Sequence, residues 1–179
     1  MLERKKALLI VTDIQGKLAS LMFQRDTLYK NVAIMIEGIK ALNIPILWIE
    51  QYPEGLGPTV PEIASHLEGY TPLSKKTFSS LRDPEINHRF TELACEQVIL
   101  TGIETHVCIQ QTAMDVLSRG IETHVVADAV SSRTAFNKYI GLAKIAHAGG
   151  HITSVETALF ELLEVAEGDV FKKILELVK

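Results

Sequence analysis

The stretch that most constrains the fold of this chain runs from Val98 to Cys108. It opens with three consecutive apolar residues, Val98 to Leu100, as a strand covered on both faces requires. Gly102 then marks a turn, and apolar residues recur at helical spacing from Ile109 onward. The pattern predicts a buried strand, a tight turn and a helix whose first turn contains Cys108, near the C-terminal edge of a sheet.

This placement gives Cys108 a candidate chemical role. We expect Thr105 to be the N-cap of the predicted helix. A helix N-terminus carries a partial positive charge, which favours the thiolate over the thiol and so makes a nucleophile. The alternative interpretation is that Cys108 is a small apolar residue packed in a helix. The second cysteine, Cys95, lies near the end of another predicted helix, where a packed thiol is the more common role.

Strands and helices alternate along the whole sequence. Strands are predicted at residues 7–12, 44–49, 98–100, 123–127 and 152–155, and helices at residues 28–42, 60–67, 84–95, 109–119, 135–147, 157–166 and 169–178. This alternation predicts one α/β domain over residues 1–179 with a mostly parallel, doubly wound sheet. We expect a three-layer sandwich with helices on both faces and a Rossmann-like strand order.

The composition limits the kinds of molecule that this chain is expected to bind. The chain has 179 residues and a net charge of −4, and a nucleic-acid-binding protein usually shows a basic excess. The first apolar run is too short for a secretory or membrane segment, so we expect no membrane association and a cytoplasmic location. The two cysteines have neither zinc-type spacing nor a disulfide framework. We therefore predict no cofactor, no metal and no nucleic acid.

Several polar residues fall where predicted strands end. Asp13 follows the first strand, Glu50 and Gln51 follow the second, and Cys108 follows the strand at residues 98–100. In an open parallel sheet, ligands bind beyond the carboxyl ends of the strands. Asp128, after the next strand, falls at the same edge. An Asp just past a strand also commonly caps a turn, so Asp13 has a structural alternative of similar weight.

A cysteine nucleophile needs a base that accepts its proton and a cation that keeps the thiolate and the base in their working charge states. Asp13 can serve as the base. Lys75 and Lys76 lie on a connection that must pass near this edge, although two adjacent lysines usually mark solvated surface. His106 is close to Cys108 in sequence, but its ring should point elsewhere, so a Cys–His pair is the weaker alternative.

With these residues in place, the sequence resembles the isochorismatase-like cysteine hydrolase superfamily, which contains nicotinamidases and N-carbamoylsarcosine amidase. The resemblance covers nearly the whole chain. It rests on motifs in the expected order at residues 11–15 (VTDIQ), 75–79 (KKTFS), 101–108 (TGIETHVC) and 128–133 (DAVSSR). The stretch at residues 50–60 (EQYPEGLGPTV) is similar to one branch, the isochorismatase domain-containing proteins, which are close to the YcaC-like hydrolases.

The resemblance implies a catalytic triad of Asp13, Lys75 and Cys108. Lys75 fits better than Lys76 because the family pattern is a lysine, two residues, an aromatic residue and a serine, which here end at Phe78 and Ser79. By the same resemblance no cofactor is needed, the substrate is a small molecule, and a homo-oligomer is expected.

The resemblance also implies a cis peptide between Ile103 and Glu104. The backbone N–H groups of Glu104 and Cys108 would then form the oxyanion hole, in keeping with the turn and helix start predicted there. Gln15, Gln51 and Ile103 are candidate substrate-binding residues. For the two glutamines, packing or loop hydrogen bonds are an equal alternative.

The sequence departs from the family pattern in two ways that bear on which reaction the chain could catalyse. Nicotinamidases hold a metal with an Asp-x-His pattern after the second strand, where this chain has Glu50-Gln51-Tyr52 and no histidine until His66. We therefore expect no zinc there, and nicotinamide becomes a doubtful substrate. The enzymes that gave the superfamily its name cleave a vinyl ether without a cysteine nucleophile. The presence of Cys108 argues against that chemistry in this chain.

The sequence thus predicts a hydrolase that cleaves an amide-type C–N bond of a small molecule through a thioester on Cys108. One alternative is a catalytically idle, oligomeric binding or scaffold protein of the same fold. Another is a nucleotide-binding Rossmann domain, but that needs Gly-x-Gly-x-x-Gly after the first strand, where the chain reads Thr-Asp-Ile-Gln-Gly-Lys.

Overall fold

A six-stranded parallel sheet forms the centre of the fold. The computed structural model describes all residues, 1–179. Its strands are β1 (Ala7–Thr12), β2 (Ile46–Gln51), β3 (Leu73–Lys75), β4 (Gln97–Ile103), β5 (Glu122–Ser131) and β6 (His151–Thr153). They are arranged in the order β3-β2-β1-β4-β5-β6, and every neighbouring pair is parallel. The expected doubly wound sheet and Rossmann-like order are confirmed.

Nine α-helices connect or flank these strands. They are α1 (Gly16–Ser20), α2 (Arg25–Ala41), α3 (Pro53–Leu56), α4 (Pro61–Ala64), α5 (Pro84–Glu92), α6 (Gln110–Leu117), α7 (Ala135–His147), α8 (Val155–Leu163) and α9 (Gly168–Val178). A π-helical turn, Thr105–Ile109, precedes α6. None of the helices combines the length and the apolar character that crossing a membrane needs.

The alternating side chains of β1 divide the core into two layers. Leu9 and Val11 pack with α2, α8 and α9 on one face, whereas Leu8 and Ile10 pack with α5, α6 and α7 on the other. All six residues of β1 are buried, which explains why its sequence is a continuous apolar run rather than an alternation. The sheet therefore lies between two helical layers, as predicted.

The strand order creates a switch point between β1 and β4. From β1 the chain moves outward through β2 and β3, then returns to add β4 on the other side of β1. Crevices at such points are where open α/β sheets bind ligands. Gly102 allows the two strands to approach closely here, because a Cβ on it would lie 2.0 Å from the Thr12 carbonyl oxygen.

Three local expectations were wrong. Residues 73–75, expected as a polar connection without strand structure, form the edge strand β3 and bury Lys75. The strand expected to end before Asp128 continues to Ser131, with an irregular register against β4 between Leu100 and Gly102. Thr105 is not an N-cap: it lies inside the π-helical turn, and its buried hydroxyl has no hydrogen-bond partner.

Candidate active site

The structure brings Asp13, Lys75 and Cys108 to the C-terminal edge of the sheet, at the switch point. Asp13 directly follows β1, Lys75 is the last residue of β3, and Cys108 lies in the π-helical turn after β4. Asp13 has φ +57°, and its backbone N–H donates to the Ile49 carbonyl over 3.0 Å. The chain thus turns sharply at Asp13 while β2 holds its backbone.

Lys75 and Asp13 form a buried ion pair. The Lys75 Nζ lies 2.7 Å from Asp13 Oδ2, and the side chains are 0% and 2% exposed. The same amine donates to Gln51 Oε1 over 2.5 Å, and Gln51 Nε2 donates to the Lys76 carbonyl over 3.0 Å. A charge that is buried without a partner is very costly, so these contacts explain how a lysine can lie inside the fold.

The Cys108 thiol is nearly buried, and its surroundings favour the neutral form. Burial raises its pKa to about 12, and the Asp13 charge acts in the same direction, while Lys75 and the Glu104 backbone N–H oppose them. This direction is opposite to the sequence-based expectation that the helix terminus would favour a thiolate. Cys108 precedes α6 within a buried turn, where burial has the largest effect on its pKa.

Asp13 is suited to accept a proton. Burial raises the pKa of its carboxyl group, and the charge of Lys75 and hydrogen bonds from Lys75 and Cys108 partly offset this effect. Its second oxygen, Oδ1, is buried and has no hydrogen-bond partner within ordinary geometry. A paired oxygen anchored by Lys75 and a second oxygen free to take a proton are what a general base beside a thiol requires.

Glu104 contributes both its backbone and its side chain to the site. The Ile103–Glu104 peptide is cis. The Glu104 N–H lies near the Cys108 sulfur and lowers the pKa of the thiol, against the larger effect of burial. Its carboxylate is turned away, where it accepts hydrogen bonds from the backbone and the guanidinium of Arg133 over 3.0 and 3.1 Å.

A small cavity opens beside the thiol. Its volume is about 140 Å³, and it is lined by Asp13, Gln51, Ile103, Glu104 and Cys108 together with four apolar residues, Leu18, Leu56, Phe78 and Val107. The sequence analysis did not find these apolar walls, apart from Phe78 in the lysine motif. A larger cavity of about 420 Å³ lies beside Trp48, Tyr70 and His88 and contains none of the three candidate catalytic residues.

The predicted substrate contacts are placed differently from one another. Ile103 and Gln51 line the cavity, and the Gln51 amide is held by Lys75 and Lys76. Gln15 is wholly buried outside the cavity lining, and its amide donates to the Gln51 and Gly57 carbonyls and accepts from the Gln51 N–H. We correct its role to anchoring the loop after β2, because its amide is committed to the backbone.

Three other polar residues at this edge are committed to structural contacts. Glu50 is buried and accepts hydrogen bonds from the backbone and hydroxyl of Thr59 over 2.6 and 2.7 Å. His106 Nδ1 lies 2.9 Å from Ser132 Oγ, so its ring points elsewhere than the thiol, as expected. Asp128 accepts from the Val155 N–H over 2.9 Å and so anchors the start of α8.

Helix α7 packs closely against the turn that carries Cys108. A Cβ on Gly141 would lie 2.6 Å from the Thr105 carbonyl oxygen. We expect Gly141→Ala to destabilise the protein by about 1–3 kcal/mol, although Gly→Ala in an exposed helix stabilises by up to about 1 kcal/mol. Urea unfolding measures the difference.

Gly38→Ala is the matched control for this prediction. The three atoms nearest to its Cβ would be Leu159 side-chain carbons, the closest at 2.4 Å, and a leucine side chain can move where a backbone carbonyl cannot. We expect a smaller loss of stability for this variant. An equal or larger loss at Gly38 would contradict a tight contact between α7 and the turn.

Together these features define an α/β protein in which a buried thiol and a carboxylate line a small cavity at the switch point, and a buried amine pairs with the carboxylate. The sequence matches the isochorismatase domain family over residues 7–157. The chain therefore belongs to the isochorismatase family and has its hydrolase fold.

Three relatives illustrate the likeness. Isochorismatase domain-containing protein 2 of Danio rerio is 38% identical over 177 residues, which cover 99% of this chain and 89% of that protein. A MAR1 ribonuclease structure from Caenorhabditis elegans is 34% identical, with a TM-score of 0.91 over 99% of this chain and 91% of its own. YcaC of Escherichia coli, an octameric hydrolase of unknown specificity, is 20% identical, with a TM-score of 0.92 over 98% and 89%. These findings confirm the predicted branch.

Proposed function

We propose that this protein hydrolyses an amide-type C–N bond of a small molecule, with Cys108 as nucleophile, Asp13 as base and Lys75 as the cation that holds the charges. The observation that carries the proposal is the buried Lys75–Asp13 pair, 2.7 Å apart, beside a cysteine that lines the same cavity as Asp13. An ion pair of this kind is costly to bury, so its presence next to a nucleophile favours a chemical role.

The resting charges fit a stepwise reaction. Asp13 takes the proton of Cys108 as the sulfur attacks the substrate carbonyl carbon, so the protonated thiol is activated only when substrate is present. The Glu104 N–H, with the Cys108 N–H, stabilises the negative oxygen of the tetrahedral intermediate. Asp13 then gives its proton to the leaving amine, which departs as the C–N bond breaks and a thioester remains.

Water completes the cycle. Asp13 accepts a proton from a water molecule, the resulting hydroxide attacks the thioester carbon, and the C–S bond breaks to release the acid product. The proton on Asp13 returns to the Cys108 sulfur. Lys75 stays paired with Asp13 and favours the return of its carboxylate form between these steps.

The cavity limits the substrate to a few heavy atoms. A volume of about 140 Å³ is close to that of cavities that hold a benzene-sized molecule. The net charge of −4 is a further reason to propose a small molecule rather than nucleic acid, although one similar structure carries the name of a ribonuclease. A screen of small amides, ureides and carbamoyl compounds, measured by release of amine or ammonia, tests this proposal directly.

Alkylation by iodoacetamide distinguishes a catalytic cysteine from one in an idle scaffold, and the experiment does not require a known substrate. If Asp13 is the base for Cys108, Asp13→Asn should slow alkylation of Cys108 by about 100-fold. If Asp13 acts only through its charge, the same change should speed alkylation. The carboxylate raises the pKa of the thiol, and Lys75 would then stabilise the thiolate unopposed.

Cys95 provides an internal control within the same protein. Its half-buried thiol has a pKa raised to about 11 by burial, and Asp13 is not among the groups that affect it. Peptide mapping after short exposures gives both rates in one sample. A Cys108 rate that rises in Asp13→Asn while the Cys95 rate stays constant would contradict the proposed base.

We also propose that the chain forms a homo-oligomer in a reducing compartment such as the cytoplasm. Support for assembly comes from the octameric state of the YcaC relative and from the apolar surface of α7, where Phe136 and Tyr139 are 70% and 65% exposed. Support for a reducing compartment comes from the two free cysteines.

A further inference from the structure

A second cluster of functional side chains lies at the N-terminal end of β5, far from Cys108. Glu122 and His124 are two residues apart on this strand, so they project from the same face of the sheet. His151 opens β6, and the strand register pairs it with His124. Six residues of β5 lie between His124 and Ser131, so the two are seven steps of extended chain apart, about 23 Å.

The three side chains converge on one point. Glu122 Oε1 lies 2.7 Å from His124 Nε2 and 3.7 Å from His151 Nε2. The two imidazole rings stack with their centroids 4.8 Å apart. One ligating atom from each residue lies within 4.8 Å of the other two. Ligands at about 2.0–2.1 Å in a tetrahedral site are roughly 3.4 Å apart, so movements of about 1 Å would suffice.

A buried residue orients the carboxylate of the cluster. Gln97 is 2% exposed, and its Nε2 donates to Glu122 Oε2 over 3.0 Å. Oε2 is therefore hydrogen-bonded to Gln97, and Oε1 is the oxygen near both histidines. Hydrogen bonds of this kind to the outer atoms of a ligand are characteristic of metal sites.

We propose that Glu122, His124 and His151 bind a divalent transition-metal ion of the Zn²⁺ type at the β5–β6 edge of the sheet. Two imidazole nitrogens and one carboxylate oxygen suit Zn²⁺ and its neighbours, whereas Ca²⁺ and Mg²⁺ prefer oxygen ligands. The His151 side chain is 55% exposed, so solvent can supply the fourth ligand. The ion would join β6, a strand of three residues, to the long strand β5.

Titration of the full chain with Zn²⁺ tests this site. With protein freed of any affinity tag, isothermal titration calorimetry near pH 7.5 should show one Zn²⁺ per chain. His151→Ala should weaken that binding by about 100-fold, the upper effect seen for removal of an outer-shell partner. The thermal unfolding temperature should rise with Zn²⁺ in the wild type and not in this variant.

His88→Ala is the matched control, because His88 is 78% exposed and lies 3.3 Å from a carboxylate, Glu92, without a third ligand. It should bind Zn²⁺ as the wild type does. Both cysteines are present in every variant, so the differences report the cluster. Glu122→Gln keeps the shape of the side chain and should weaken Zn²⁺ binding similarly. This second variant tests the site independently in case His151→Ala does not fold. Absence of binding to the wild type, or wild-type affinity in the folded variants, would overturn the proposal.

Discussion

Replacing Cys108 by alanine is expected to lower kcat/KM for a substrate found in the amide screen by about 10⁴-fold or more, because no other group in the cavity can form the thioester. The other lining residues are apolar apart from Gln51, whose side chain is an amide, and Asp13 and Glu104, which are acids rather than sulfur nucleophiles. Steady-state hydrolysis rates of the purified variant measure the effect.

Folding and covalent chemistry can be followed separately in this experiment. Cys108→Ala removes one sulfur atom and should leave the circular dichroism spectrum unchanged. Cys95→Ala is the control, since Cys95 lies outside the cavity, and it should hydrolyse the substrate at the wild-type rate. Mass spectrometry after rapid acid quench should detect an acyl adduct on the wild type and none on Cys108→Ala. A Cys108→Ala protein that hydrolyses substrate at the wild-type rate would end the proposed mechanism.

Replacing Lys75 by methionine is expected to destabilise the fold by about 3–5 kcal/mol, because it leaves the Asp13 carboxylate buried without its partner. Methionine has a similar length, so the loss reports the charge and its hydrogen bonds to Asp13 and Gln51 rather than a cavity. Urea unfolding at neutral pH measures it. Adding Asp13→Asn to Lys75→Met should restore part of the stability, which gives the coupling energy of the pair.

The loss should also depend on pH in a definite direction. Lys75 lowers the pKa of Asp13 against the effect of burial, so its removal raises that pKa further. Native Lys75→Met then holds a proton that the unfolded chain releases. Its stability therefore falls as pH rises from the ordinary pKa of an Asp toward the raised one, and the deficit relative to wild type is smaller in acid.

Lys76→Met provides the control for the neighbouring charge. The Lys76 side chain is exposed and lies 5.0 Å from the centre of the Tyr52 ring, a contact worth about 0.5–1 kcal/mol. We expect a change within about 1 kcal/mol for this variant. Equal effects at Lys75 and Lys76 would mean that the buried pair contributes no more than a surface lysine.

The parts of the fold that were predicted correctly have strong local signals. The strand at Ala7–Thr12 is a continuous apolar run, and the helix over Ala135–His147 has a Thr134 cap and ends before a glycine pair. Asp83 caps α5 by accepting from the Glu85 and Ile86 N–H groups, and Pro84 follows it at the first position of the helix. In these elements, propensity, capping and burial all favour the same structure.

The edge strand β3 lacked such a signal. Its three residues, Leu73–Lys75, carry a single hydrophobic side chain, and their strand conformation comes from pairing with β2. The same holds for the burial of Lys75, which depends on Asp13, a residue distant in sequence. A contact made across the sheet leaves no periodic pattern along the chain.

Electrostatics at the thiol were also beyond sequence reasoning. The helix-terminus argument counts one dipole, whereas the pKa of Cys108 depends mainly on burial and on the Asp13 charge. The role of Gln15 shows the same problem, because its amide had to be assigned before the path of the loop after β2 was known. The cluster proposed to bind metal was missed because Glu122 and His124 meet His151 only through the register of two strands.

The hydrogen bonds that hold the loop after β2 have a consequence for ligand recognition. Gln15 holds the loop at Gln51 and Gly57, and Glu50 holds Thr59 beyond it. Leu56, carried between these anchors, forms one side of the cavity. If the cavity binds substrate as proposed, these hydrogen bonds hold its wall in place before the ligand arrives, and we expect little conformational entropy to be lost on association. Such a pocket discriminates by shape, and it should reject molecules that a mobile lid would accommodate.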